Sequence, residues 1–103
     1  MEMYRQGGVL LIPVDEAPPG REAPREEDGR LALSTRGDEP FYWIVGGGAT
    51  LILDEWWEFY LTVTDPEGVE LVHEGRATVR VRPGSYRVAR RYGHQYWPGK
   101  GRS

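Results

Sequence analysis

Residues 50–64 read TLILDEWWEFYLTVT, and the class of the fold turns on how this stretch is arranged. A single strand of that length would be about 50 Å long, well beyond the usual three to ten residues. A hairpin turning at Asp54-Glu55-Trp56 is the alternative we adopt. In its second half Trp57, Phe59, Leu61 and Val63 alternate with Glu58, Tyr60 and Thr62. That period of two predicts a strand with one apolar face.

Working outward, the same signal recurs on both sides. Gly8 to Val14 is a continuous apolar run of strand length, with Pro13 marking its end or a sheet edge. Leu31 to Ser34 is a short strand candidate, and Phe41 to Val45 is rich in aromatic and β-branched residues. Gly46, Gly47 and Gly48 form a turn, with neither the Gly-Lys-Ser/Thr nor the opening helix of a phosphate loop. Asp65-Pro66-Glu67-Gly68 is another turn, and Val69 to His73 another strand. Apolar residues nowhere recur at helical spacing for more than a turn or two. The sequence therefore predicts an all-β domain of about seven to nine short strands, a small barrel or sandwich.

The 103 residues form one domain, 1–103, with a charged surface loop at 15–30 and an aromatic, basic tail at 93–103. No apolar run approaches the length needed to cross a bilayer, and the first residues lack a signal-peptide h-region. With no cysteine, disulfides, thiolate catalysis and cysteine-based zinc sites are excluded, and a reduced cytoplasm is the expected compartment. The chain also has no Asn, and Lys100 is its only Lys against twelve Arg. That bias fits a thermophilic source or a GC-rich genome.

Charge is unevenly placed. Residues 76–103 hold eight basic side chains and no acidic one, whereas the first 75 hold five basic and all sixteen acidic ones. Pro83-Gly84 suits the centre of a type II turn, and a hairpin built on it pairs Val81 with Tyr86, Arg80 with Arg87 and Arg76 with Arg91. One face would be core. The other would carry Arg76, Arg80, Arg82, Arg87 and Arg91, with like charges directly opposed.

An anion is expected over such a face. Within the fold or across a copy-to-copy contact, Asp54, Glu55 and Glu58 could supply it, with Trp56, Tyr60, Tyr92, Tyr96 and Trp97 as contact residues. Alternatively the arginines bind nucleic-acid phosphates while Tyr92 and Trp97 stack on bases. An overall pI near 5.4 weighs against that second reading.

The stretches RQGGVLLIPVDEAP, REEDGRLAL and ELVHEGRATVRVRPGSYRVARRY together resemble a family of short bacterial and phage proteins of uncharacterised function. Its members open RQGDVLLIPVDE, carry a GHAH-type motif, and continue LVHEEH and LPPGxYxVxxQREY. The resemblance implies a cupin-like fold and a metal held by converging histidines. In this chain the GHAH position falls at Glu39-Pro40-Phe41-Tyr42-Trp43, which has no histidine. At the HEEH position His73 and Glu74 match, while Gly75 and Arg76 replace the rest.

The expectation is a non-catalytic binding or interaction module with no cofactor and no metal. Its partner would be a second copy or another protein, through acidic-to-arginine contacts. A nucleic-acid-binding domain using the hairpin at 76–91 is the alternative, and a metal-dependent cupin-like enzyme the third reading. Ser34, Ser85 and Ser103 sit in turn or terminal contexts without a nucleophile elbow, so no catalytic residue is assigned.

Overall fold

The hairpin at 50–64 forms as expected: one strand runs Ala49–Leu53, its partner Phe59–Val63, and Leu51 faces Leu61 across the pair. In this computed structural model residues 3–6, 8–33, 42–73, 75–92 and 95–97 are described. Among them are eleven strands: β1 (Tyr4–Gln6), β2 (Val9–Val14), β3 (Arg21–Glu22), β4 (Leu31–Ala32), β5 (Tyr42–Val45), β6 (Ala49–Leu53), β7 (Phe59–Val63), β8 (Val69–His73), β9 (Val79–Val81), β10 (Gly84–Tyr92) and β11 (Gln95–Trp97). They make two antiparallel sheets, β1-β2-β10-β7-β6-β3 with β11 on β10, and β4-β5-β8-β9. The all-β expectation holds, and the architecture is a sandwich with no closed barrel.

Alternation along each strand builds the core. Val9 and Leu11 of β2, Leu51 of β6, Leu61 and Val63 of β7, and Tyr86 and Val88 of β10 point inward from the larger sheet. Leu31, Ile44, Val69, Leu71 and Val81 answer from the smaller one. Two apolar faces meeting this way remove from water the surface that neither sheet could bury alone.

The largest correction concerns the arginine hairpin. Val79–Val81 pairs with β8 in the smaller sheet, while Gly84–Tyr92 lies between β2 and β7 in the larger one. Pro83-Gly84 is therefore a corner between sheets. Val81 and Tyr86 both belong to the core, though not as a ladder pair. Two tyrosines hold the corner: the Arg82 N–H donates to Tyr4 Oη at 3.2 Å, and Tyr86 Oη donates to the Arg82 carbonyl at 2.7 Å. The Tyr4 and Tyr86 rings pack edge to face, 5.8 Å apart. The separation also relieves the opposed arginines, because Arg80 now faces Glu70 across the ladder and pairs with it at 3.3 Å.

The 15–30 segment is more ordered than its composition implies. Gly20 passes so near β6 that a Cβ there would meet Leu53 and Ile52, which only glycine avoids. Arg21 and Glu22 then pair with Leu53 and Ile52 as β3. Beyond them the Arg25 guanidinium donates to the carbonyls of Gly29, Gly46, Gly47 and Ala49. One planar fork thus ties the loop to the β5–β6 turn.

Two further joins were not legible in the sequence. Gln6, only 5% exposed, donates from Nε2 to the carbonyls of Leu71 (3.2 Å) and Ala77. It thereby stitches β1 of one sheet to the β8–β9 region of the other. The Gly8 N–H donates to Tyr42 Oη at 2.8 Å, and the Tyr42 ring stacks on His73 at 4.3 Å.

Candidate functional site

The most distinctive surface is the tip of the β6–β7 hairpin. Asp54 organises it: Oδ1 accepts the N–H groups of Trp56 (2.8 Å) and Glu58 (2.9 Å), and its carbonyl accepts that of Trp57 at 3.1 Å. A side chain that accepts from the backbone of its own turn fixes that turn locally. Trp57 takes φ 65°, the one positive φ outside glycine among the described residues. That conformation turns its ring away from the apolar face expected for it, and it stands 76% exposed beside Trp56 at 56%.

The two tryptophans border a groove of about 580 Å³ whose other walls are Pro18, Pro19, Gly20, Arg21 and Leu53. The 15–30 segment, held against β6 at Gly20 and β3, supplies the Pro18–Arg21 wall. Asp54 and Glu55 lie in the groove wall. The Glu58 carboxylate accepts from Tyr60 Oη at 3.1 Å. Burial, then Glu58, then the Asp54 charge raise the Tyr60 phenol above its usual range, against a smaller opposing effect of Arg87. Of the expected contact residues, Asp54, Glu55 and Trp56 line the groove, while Glu58 and Tyr60 are bonded to each other on the outer face of the larger sheet. Trp57, read in the sequence as core, lines the groove as well. Asp54, whose side chain can accept from the backbone of the residues that follow, is the sequence feature that marks that turn.

The arginines are dispersed rather than gathered. Arg80 lies on the outer face of the smaller sheet, where it also donates to the Glu67 carbonyl at 2.9 Å. Arg87 lies on the outer face of the larger sheet, between Ile12 and Tyr60. Arg82 is exposed at the corner between sheets, and Arg76 is exposed in the turn after β8. The single arginine face that the hairpin implied does not form. The backbones of Arg91, Tyr92, Tyr96 and Trp97 have places in β10 and β11, but their side chains, and all of His94, lie outside the described residues.

Among the described residues no histidine-built metal centre forms. His73 is the one histidine described, its ring is stacked on Tyr42, and no three His, Cys, Asp or Glu converge among the described residues. Of the GHAH position, Tyr42 and Trp43 are strand residues of β5, and 39–41 lie outside the described residues. Nor is any helix among the described residues long and apolar enough to cross a membrane.

This chain belongs to the family described as a domain of unknown function (DUF8820), whose model matches residues 5–91. The match runs from β1 through nearly all of β10 and so takes in both sheets, the groove and the 15–30 segment. No curated protein and no solved structure matches the chain.

Proposed function

We propose that this domain is a non-catalytic interaction module that holds a cationic segment of a partner protein in the groove at the β6–β7 tip. The observation that carries the reading is Trp57. A large aromatic side chain left 76% exposed, in a backbone conformation that disfavours it, gains nothing for the isolated fold. Beside it lie a second exposed tryptophan and the carboxylates of Asp54 and Glu55. An arginine or lysine side chain suits that combination, since its charge is attracted both to an aromatic face and to a carboxylate. Exposed tryptophans in a groove are also the residue type that dominates binding energy in protein contacts.

The test is a calorimetric and fluorescence titration with a hexa-arginine peptide, with hexaglutamate as the control. The expected result is saturable binding of hexa-arginine that weakens at least ~10-fold in both Trp57→Ala and Glu55→Lys. Equal affinity for the parent and for Trp57→Ala would overturn the assignment of the site.

A further inference from the structure

The outer face of the larger sheet carries a second surface, distinct from the groove. Two rows of side chains cross four strands there. The ladders align Ile12 of β2, Arg87 of β10, Tyr60 of β7 and Ile52 of β6 in one row. They align Val14, Ser85, Thr62 and Thr50 in the next. All eight are half-buried, and only Arg87 is charged. An antiparallel sheet with one face in water ordinarily shows a polar outer face. Here three aliphatic residues, Ile12, Val14 and Ile52, lie among the hydroxyls of Thr50, Thr62, Ser85 and Tyr60, of which Thr62 and Ser85 are 3.4 Å apart, so the patch is half-buried and carries a single charge.

We infer that this face is the contact between two copies of the chain, packed sheet to sheet about a two-fold axis. Charge selects the occupant. Arg87 has no hydrogen-bond or ion-pair partner among the described residues, and Glu58, on the same face, has only the Tyr60 hydroxyl. A two-fold axis carries the Arg87 of each copy toward the Glu58 of the other, so the patch is complementary to itself. The side chains of its two rows would then interdigitate at the spacing of stacked sheets. A nucleic-acid surface would need many cations, and the described part of this face has one. Leu10 and Ala89, at the far corner of the same face, are already buried outside the main core cluster and are not part of the surface proposed.

The test is sedimentation velocity on the full chain over a wide concentration range, with circular dichroism confirming that each variant folds. The expected parent is a dimer, and Arg87→Glu and Glu58→Arg each weaken self-association at least ~30-fold. Because both contacts of the two-fold pair are restored when one variant meets the other, an equimolar mixture regains the dimer. Thr62→Lys, which places a charge in the middle of the patch and leaves both charged partners intact, is expected to be monomeric. A parent that stays monomeric throughout overturns the inference. So does a dimer that survives both reversals, or a mixture that fails to re-form it. Hexa-arginine binding by the Thr62→Lys monomer would leave the groove assignment standing whatever the parent's mass.

Discussion

Replacing Trp57 with glycine separates what this residue does for the fold from what it does at the surface. About three quarters of the side chain is in water, since it is 76% exposed. The buried remainder is roughly 60 Å² of a large aromatic, and losing it removes about 1.5 kcal/mol at ~25 cal/mol per Å². Against this, glycine adopts the positive φ of 65° freely, whereas an L side chain there costs about 1–2 kcal/mol. The added freedom of the unfolded glycine chain takes back about 0.5–1 kcal/mol. These effects nearly cancel. Trp57→Gly should therefore unfold within about 1 kcal/mol of the parent, a shift of no more than ~4–8 °C in Tm for a domain of this size. Leu61→Ala, at a fully buried site of the same hairpin, should lose about 2–5 kcal/mol. Thermal and urea unfolding followed by circular dichroism make the comparison, with hexa-arginine titration on the same samples. A loss above ~3 kcal/mol in Trp57→Gly would refute the reasoning, because it would mean that the ring is packed. Unchanged stability with unchanged binding would refute the groove instead.

Three further outcomes are expected. Gln6→Glu sets a carboxylate against the Leu71 and Ala77 carbonyls and should cost at least ~2 kcal/mol at neutral pH. The folded state would hold that carboxyl above its ordinary range, so urea midpoints should recover as pH falls and the acid donates; a parent-like midpoint at pH 7 would count against the role of Gln6 as a stitch. Gly68→Ala should lose about 2–3 kcal/mol in urea unfolding, since φ is 84° and a Cβ would press on the Val81 carbonyl oxygen. Gly29→Ala, at φ 91° with open space around it, should lose only about 1 kcal/mol, and equal losses would show that the close approach is unimportant. Ultraviolet titration should find Tyr60 ionising above the usual tyrosine range, and Glu58→Gln should bring it part of the way down, burial being the larger cause. Because the unfolded chain ionises first, Tyr60 contributes stability that is complete below the ordinary tyrosine range and is lost as pH climbs through the folded value. A Tyr60 transition unmoved in Glu58→Gln would refute the carboxylate's part in the shift.

What could be read from the residues alone was whatever is local. Alternation in Phe59–Val63 and Val69–His73, the glycine turn at 46–48 and the Asp65–Gly68 turn are properties of neighbouring side chains and backbone torsions. They determined an all-β chain and most of its strands, and they put the acids and aromatics of residues 54–60 at a turn. Strand partnership is a different quantity. Val79–Val81 and Gly84–Tyr92 have the spacing of a hairpin, yet β10 buries both its edges by inserting between β2 and β7, and β9 takes β8. Many alternative partners satisfy the same alternation, so only the packing of the two sheets against each other chose among them. That choice scattered the arginines, set Arg80 opposite Glu70 and sent Arg87 to the outer face. Trp57 followed the same logic on a smaller scale. Its place in an apolar alternation read as core, but the Asp54 cap closed the turn around it and rotated the ring into water. Gln6 and Arg25 carry no sequence signal, because their partners are backbone carbonyls brought to them from as far as 71 residues away.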